Sequence, residues 1–271
     1  MTAIRRYPVK SMLGENVAFS DVGARGLAQD RTAALIDLRT GKVASAKNPR
    51  MWRGMLKIRA TAAGAAIGIT FPGGTQMRST DPGIDGMLSQ LLGQPVTLAT
   101  APAAGATLDR ARPDDVLRDG VDAPVAVDET RLGQGSPDGT FFDFAPVHLI
   151  TTSTLDRIAG LSPRGTVEPE RYRPNIIIQT PGRGFTENDW VGRDLRIGTD
   201  VVLRVIGRTP RCAVPTLEHG GLPRDIAALR VPSEHNRVVP MDRLGPLPCV
   251  GVYARVLRPG RIQVSDAAEL A

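Results

Sequence analysis

Short apolar runs separated by turn signals are the feature that most constrains how this chain can fold. Turn-forming residues at Gly41-Lys42, Pro72–Gly74 and Asp81–Gly83 interrupt the first hundred residues, and the runs between them have the composition of strands. Only Ile84–Leu92 has apolar residues at helical spacing. This pattern predicts a mostly β, barrel-like fold with a few short helices. The predicted strands are Ala3–Val9, Asn16–Val22, Thr32–Leu38, Met55–Ala60, Ala66–Phe71 and Pro95–Thr100.

The sequence changes character between residues 101 and 140. This stretch is rich in Ala, Gly, Pro, Asp and Arg, and its weak periodicity predicts a connecting region. A second β-rich block follows, with a short helix predicted at Thr151–Ala159. Because the chain has 271 residues, we expect two domains. The predicted strands of the second block are Pro146–Ile150, Asn175–Gln179, Val201–Arg208, Cys249–Val256 and Arg261–Val264.

The chain is basic, with a formal net charge of +6 at pH 7. A phosphorylated ligand is compatible with this charge, and most of the scattered arginines are expected on a solvated surface. Aromatic residues make up only 4% of the sequence, whereas proteins that bind single-stranded nucleic acid interleave basic and aromatic residues, so we expect no nucleic acid. We find no signal-peptide pattern and no apolar stretch that could span a bilayer, and we expect a cytoplasmic protein with no membrane partner.

Two segments combine a cation with a hydroxyl or amide group at the end of a predicted strand. In Tyr7–Ser11 a strand ends at a proline and then presents Lys10 and a serine, a pair suited to a phosphate or an anionic heterocycle. Further along, Arg173 and Asn175 flank a proline that fixes the chain direction before an apolar strand. They alternate along the chain and should project to one side, where they could hold a phosphate and a pterin edge. For each segment alone, an ordinary surface position is the competing interpretation.

Cys212 follows the predicted strand Val201–Arg208, in a loop rich in arginine and proline. Neighbouring arginines favour the thiolate, which is a soft ligand suited to transition metals. An inert buried cysteine is the usual alternative, but the arginines and prolines beside Cys212 argue against burial in an apolar core. Cys249 lies among apolar residues and fits that alternative. With two cysteines in the sequence, we expect free thiols rather than a disulfide framework.

Three motifs, taken together and in this order, resemble MOSC proteins, which are named for the C-terminal domain of molybdenum cofactor sulfurases. The motifs are Tyr-Pro-Val-Lys-Ser at residues 7–11, Arg-Pro-Asn-Ile at 173–176 and Arg-Cys-x-x-Pro-Thr at 211–216. More narrowly, the chain is similar to the group that contains the mitochondrial amidoxime-reducing component and its bacterial relatives. The resemblance covers nearly the whole chain. It implies an N-terminal MOSC β-barrel domain over residues 1–100 and a MOSC domain over residues 110–271.

The resemblance also implies roles for individual residues, around a molybdenum cofactor that we expect in the cleft between the two domains. Cys212 is similar to the family's molybdenum ligand and is the expected catalytic residue. The sequence departs from the family at Met12, where a cysteine is common, and at Leu217–Gly221, where the change puts the substrate preference in question. The other implied cofactor contacts are Lys10, Ser11, Arg31, Thr152, Ser153, Arg173, Asn175 and Arg211.

The function that the resemblance implies is a molybdenum-dependent two-electron reduction of small N-hydroxylated or N-oxygenated substrates. A separate electron-donor protein would supply the electrons, because the sequence lacks the four cysteines that hold an iron–sulfur cluster. Two alternatives stay open: the chain carries the cofactor without turnover, or Cys212 carries a persulfide for sulfur transfer. His219, in the altered loop, is either a proton donor or a solvated loop residue, and we expect the second.

Overall fold

The computed structural model describes residues 1–242 and 244–271, and strands are its main elements, which confirms the mostly β prediction. In the N-terminal part, the helix α2 (Ile84–Leu92) has the bounds that the sequence predicts, and it follows α1 (Pro49–Trp52) and a 3-10 helix at Arg53–Lys57. The strands of this part are β1 (Ala3–Arg6), β2 (Glu15–Val17), β3 (Phe19–Gly23), β4 (Gly26–Leu27), β5 (Ala34–Asp37), β6 (Arg59–Ala63), β7 (Ala66–Thr70), β8 (Gln76–Arg78) and β9 (Val96–Ala99).

The strand predicted at Met55–Ala60 is wrong in its first half. The 3-10 helix at Arg53–Lys57 occupies that half, and β6 begins only at Arg59. Met55 and Leu56 are both fully buried although they are neighbours in sequence, whereas successive residues of a strand face opposite sides. A short apolar run looks alike in a buried turn and in a buried strand, so its composition could not distinguish the two.

Residues 101–140 contain more regular structure than the predicted connecting region. The strands β10 (Thr107–Ala111) and β11 (Val127–Arg131) form an antiparallel hairpin, and α3 (Pro113–Asp119) lies between them. Most side chains of the hairpin are partly or fully exposed, although Leu108 is buried. With so few apolar anchors, the hairpin has no clear alternation for a sequence pattern to detect.

The C-terminal part contributes most strands of the main sheet. Its longer helices are α4 (Thr152–Leu161) and α5 (Ala227–His235), and 3-10 helices lie at Pro169–Arg171, Thr186–Trp190 and Val214–Thr216. In the residues that the structure describes, no helix has the length and apolar character needed to cross a bilayer. The strands are β12 (Val147–Thr151), β13 (Ile176–Ile178), β14 (Asp194–Ile197), β15 (Val201–Pro210), β16 (Arg237–Val238), β17 (Leu247–Arg258), β18 (Gly260–Gln263) and β19 (Ala268–Leu270).

The main sheet joins the two ends of the chain. Its strand order is β19-β14-β15-β17-β12-β13-β1-β2, with β16 paired to β17, so two N-terminal strands continue a sheet of C-terminal strands. Ile4 pairs with Ile176, and β3 pairs separately with β18. Across the described ranges the strands form open sheets and no closed barrel, so the barrel-like expectation holds only for the general β character.

The pairing of β1 with β13 determines where the candidate site lies. The two strands are antiparallel, so the residues that follow β1 lie beside the residues that precede β13. This brings Lys10 and Ser11 to the same end of the sheet as Arg173 and Asn175. An apolar cluster that includes Ile4 and Ile176 packs beneath this part of the sheet and holds the strands in register.

Gly251 provides a test of this sheet, because it lies within β17 with φ at 81°, where residues with side chains are strained. A Cβ atom there would lie 2.4 Å from the Leu149 carbonyl oxygen and 2.5 Å from His148 Nε2. We expect Gly251→Ala to lower the free energy of unfolding by at least about 2 kcal/mol, measured by urea denaturation. Gly23→Ala is the control, since a Cβ at Gly23 meets no described atom within 4 Å. Equal unfolding midpoints for the two variants would contradict this account.

Candidate functional site

An inner cleft of about 80 Å³ brings together seven of the nine site residues that the sequence predicts. It adjoins a larger outer chamber of about 800 Å³, and both cavities are lined by Arg211 and Cys212. Cys212 therefore lies where a small, enclosed cleft meets a wide chamber. The predicted residues that line the inner cleft are Lys10, Ser11, Arg31, Arg173, Asn175, Arg211 and Cys212.

Backbone strain is concentrated at the inner cleft. Ser11, Arg31 and Arg173 adopt left-handed backbone conformations, with φ at 63°, 48° and 56°. The described chain has only two further residues of this kind that are not glycine, Gln29 and Ser265. Such conformations cost about 1–2 kcal/mol each and persist where the surroundings enforce them, typically at functional sites. Their clustering indicates that the backbone here is shaped for binding rather than for regular structure.

Asp30 is a buried carboxylate that holds three parts of the cleft together. It accepts hydrogen bonds from the Tyr7 backbone N–H at 2.6 Å, from Arg31 Nη1 and from Asn175 Nδ2 at 2.9 Å. The Asn175 amide also donates to the Arg5 carbonyl and accepts from the His148 backbone N–H, so its capacity is fully used. Asn175 thus lines the cleft as a residue that fixes the position of its neighbours.

Two arginines enclose Tyr7 from both faces of its ring. The guanidinium carbons of Arg31 and Arg173 lie 4.4 Å and 4.3 Å from the ring centroid. Arg173 Nη1 donates to the Met12 carbonyl at 2.6 Å, while its buried Nη2 has no hydrogen-bond partner in the described part of the chain. Burial and the nearby charge of Arg31 lower the pKa of Arg173 to about 10, which leaves it cationic at neutral pH. An unsatisfied buried donor of this kind is suited to an anionic ligand.

Two lysines share one carboxylate at the opposite wall of the cleft. Lys10 Nζ donates to Asp143 and to the Phe141 carbonyl, and Lys47 Nζ lies 2.9 Å from Asp143. Burial lowers the pKa of Lys10 to about 8, despite the opposing attraction of Asp143. Burial favours the neutral acid at Asp143, but the two lysines hold its pKa well below the usual range. Lys10 and Lys47 thus share a single carboxylate, which leaves one net positive charge at this side of the cleft.

Cys212 is buried, with only 7% of its surface exposed, so the expectation that it avoids an apolar core is wrong. Its loop follows β15 and packs among apolar neighbours that include Val214 and Leu217. The loop turns inward because Arg211 is bound on both sides: its backbone N–H donates to the Pro248 carbonyl at 2.8 Å, and its Nη2 donates to the Tyr172 carbonyl at 3.0 Å. The small exposed surface of Cys212 still lines both cavities.

Cys249, in contrast, matches its prediction as an inert thiol. It is fully buried, and burial raises its pKa to about 12, against the weaker effect of Arg211 and Arg208. Both cysteines are free, as the sequence predicts. In the parts of the chain that the structure describes, no three His, Cys, Asp or Glu side chains form a metal-binding group.

Thr152 and Ser153 do not line the inner cleft. They lie at the start of α4, where Thr151 caps the helix by accepting from the Thr154 backbone N–H. Ser153 contacts Thr151 and Thr186, and Glu187 accepts hydrogen bonds from Thr151 and Thr154 at 2.6 Å. Burial raises the pKa of Glu187, against these hydrogen bonds. In this structure the hydroxyl cluster connects α4 to the loop at residues 186–190.

His219 is buried, so its description as a solvated loop residue is wrong. Its Nδ1 donates to the Leu217 carbonyl at 3.0 Å, which leaves Nε2 as an acceptor. Burial lowers the pKa of His219 to about 4, opposed by that hydrogen bond, so the ring is neutral at pH 7. It lines a separate cavity that it shares with Tyr7 and Arg173, outside the inner cleft. These features make it a poor general acid near neutral pH.

Sequence reasoning missed several residues that line or support the cleft. Lys47 and Asp143 belong to no recognisable motif, and they meet Lys10 only through the tertiary fold. Asp30 could have been noticed, because it lies beside Arg31 and a buried acid needs a cationic partner. His148 and Tyr253 line the cleft from adjacent strands of the main sheet, and their burial gives no sequence signal.

Removing Asp30 tests whether it holds the cleft together. Asp30→Ala would leave Arg31, the Tyr7 N–H and the Asn175 amide unsatisfied, so we expect a loss of about 3–5 kcal/mol in the free energy of unfolding. Urea denaturation gives this value directly. The control is Asp21→Ala, which removes an exposed pair with Arg261 and should change the stability little. A similar, small effect in both variants would show that Asp30 is dispensable.

Comparisons with known proteins agree with the order of motifs along the chain. The MOSC domain model matches residues 136–269, and the model of the MOSC N-terminal beta barrel domain matches residues 1–85. No curated protein matches the chain.

Among the solved structures that match the chain, two illustrate the low similarity. YiiM from Geobacillus stearothermophilus is 15% identical, with a TM-score of 0.33. The match covers 47% of this chain and 54% of YiiM, so the chain spans about half the length of that protein. The YuaD protein from Bacillus subtilis is 12% identical, with a TM-score of 0.43 over 100% of this chain and 96% of YuaD. The two family models together match most of the sequence, in the expected order, and the chain belongs to the MOSC-domain proteins that carry an N-terminal MOSC β-barrel domain.

Proposed function

We propose that this protein binds a molybdenum cofactor where the inner cleft opens into the outer chamber, with the thiolate of Cys212 as the protein ligand to the metal. The observation that carries the proposal is the position of Cys212, the one thiol among the lining residues, at the junction between a cationic cleft and an open chamber. The family to which the chain belongs is associated with this cofactor. The chemistry of the cleft agrees with an anionic group.

The cleft residues fit the phosphate and the polar pterin of such a cofactor. Arg173 Nη2 and Arg211 Nε are buried donors without a hydrogen-bond partner in the described ranges. Lys10 and Lys47 supply two further cations, and an anion that binds to them competes with the Asp143 carboxylate. We assign Lys10, Arg173 and Arg211 as the main contacts, because charge-assisted hydrogen bonds to phosphate are stronger than neutral ones.

We propose further that the reaction is the reduction of a small N-hydroxylated or N-oxygenated substrate. When bound, the cofactor would supply the two-electron redox chemistry, and with two protons the substrate oxygen would leave as water. The chain's residues orient it: Cys212 fixes the metal position, Arg173 and Lys10 hold the anionic end, and the buried surroundings of Cys212 exclude water. A separate electron-donor protein delivers the electrons. A cytoplasmic location agrees with two free thiols, which persist where the compartment is reducing.

The two cysteines provide a matched pair of variants for this proposal. We expect Cys212→Ser to lose molybdenum, measured by metal analysis, because a hydroxyl is a poor ligand for a soft metal. Cys249→Ser should keep its molybdenum content, since Cys249 lies outside both cavities. With a chemical reductant, the loaded protein and the Cys249 variant should convert benzamidoxime to benzamidine, and the Cys212 variant should not.

Different failures identify different functions. Equal molybdenum content in the two cysteine variants would refute the assignment of Cys212. Full metal content, reduction of the metal shown by spectroscopy, and no turnover of any N-hydroxylated compound would establish a cofactor carrier instead. A mass increase of one sulfur on Cys212 without metal would indicate sulfur transfer through a persulfide.

The pKa of Lys10 gives the anion site a characteristic pH dependence. Only the protonated amine attracts an anion, so the contribution of Lys10 is complete well below its pKa of about 8 and is lost as the pH rises through that value, by at most about tenfold in affinity per pH unit. We expect this fall between pH 7.5 and pH 9.5, roughly the range around that pKa, in calorimetric titrations with inorganic phosphate. Lys10→Arg should remove most of the fall, because an arginine stays protonated throughout. The same slope in both proteins would exclude Lys10 from the anion site.

A further inference from the structure

Two chemically different groups of side chains line the outer chamber. One group consists of arginines, Arg110 and Arg131 of the β10–β11 hairpin together with Arg208 from β15. Arg208 Nη1 donates to the Val239 carbonyl at 3.0 Å, and its buried Nε has no partner in the chain as described. The acidic lining residues are Asp143, which the two lysines already neutralise, and Asp242. The chamber therefore carries an excess of positive charge.

Apolar side chains form the other group of lining residues. Val239 and Leu244 are both 44% exposed, which is unusual for large apolar residues, and they lie at this chamber together with Met241. Ile206, within β15, and Leu247, at the start of β17, extend the apolar surface. A cavity of about 800 Å³ with apolar lining residues and a few cationic groups is typical in size and chemistry of a small-molecule site.

The hairpin that supplies Arg110 and Arg131 lies between the two family-model matches, which end at residue 85 and begin at residue 136. Neither arginine forms an ion pair within residues 1–242 and 244–271, whereas Arg112 and Arg118 in the same region are paired to aspartates. The two free cations are thus contributed by a segment that the family models do not cover. Such a segment is where a chain can acquire a substrate preference of its own.

We propose that the outer chamber selects N-oxygenated substrates that combine an apolar body with an anionic group such as a carboxylate. This inference rests on the proposed reductase function. Arg110 and Arg131 bind the anionic group, the apolar group that includes Met241 and Leu244 packs against the apolar body, and the N-oxygenated end points to Cys212. Arg110 and Arg131 are therefore specificity residues rather than catalytic ones.

A matched pair of ligands tests this proposal by binding alone. Calorimetry would compare benzamidoxime, which is neutral, with its para-carboxylate analogue on the purified protein. We expect the carboxylate to bind at least about tenfold more tightly, because each arginine adds a charge-assisted hydrogen bond. The Arg110→Gln, Arg131→Gln double variant should lose this preference. Arg157→Gln, which changes the charge equally at an exposed position on α4, should retain it.

The outcomes separate this proposal from the reductase function. Equal affinity for the two ligands, or a preference that survives in the double variant, would overturn the chamber's role. Tight carboxylate binding without turnover by the loaded protein would support the chamber and refute the reductase. Turnover of both ligands with equal KM would support the reductase and refute the chamber. The single Arg131→Gln variant changes an exposed position and should fold normally while losing part of the preference. It therefore still tests the proposal if the double variant fails to fold.

Discussion

The carboxylate of Asp30 is the interaction on which the candidate site depends. It is only 2% exposed, and a charge at that depth is tolerated because three donors surround it. Two of these donors come from the N-terminal part, and the third, Asn175, precedes β13 in the C-terminal part. The same contacts hold Arg31 and the start of the Arg173 segment in place. The same buried carboxylate therefore positions the residues of the cleft and connects the N-terminal part of the chain to the C-terminal part.

Strain and charge in the inner cleft follow from this arrangement. With Tyr7 held by Asp30, Arg31 and Arg173 stack on opposite faces of its ring, and both adopt left-handed backbone conformations. Burial lowers the pKa of Arg173, and repulsion from the guanidinium group of Arg31 lowers it further. Such an arrangement is unfavourable without an anion nearby and favourable with one. The cleft thus stores part of the energy that a bound anion would recover.

The sequence predicted the parts of the site that lie at strand ends. Lys10, Arg173 and Cys212 all follow or precede an apolar strand, and the alternation of such strands is visible in one sequence. Asp143 and Lys47 could not be predicted, because they approach Lys10 only after distant segments pack together. The resemblance places Thr152 and Ser153 at the cofactor, and the structure puts them outside the inner cleft. There the Ser153 hydroxyl contacts that of Thr151, and Thr152 Oγ1 accepts from the Thr180 backbone N–H.

The position of β1 in the main sheet has a consequence for how the protein is made. Arg5 leaves the ribosome about 170 residues before Asn175, the residue whose amide it contacts. At translation rates of roughly 5–20 residues per second, the β1 segment therefore waits on the order of 10–30 s for its partner strand. During that interval Ile4 and its neighbours form an unpaired, apolar edge, which chaperones recognise and which aggregates easily. The pairing of β1 with β13, and with it the cleft, can form only after synthesis has passed β13.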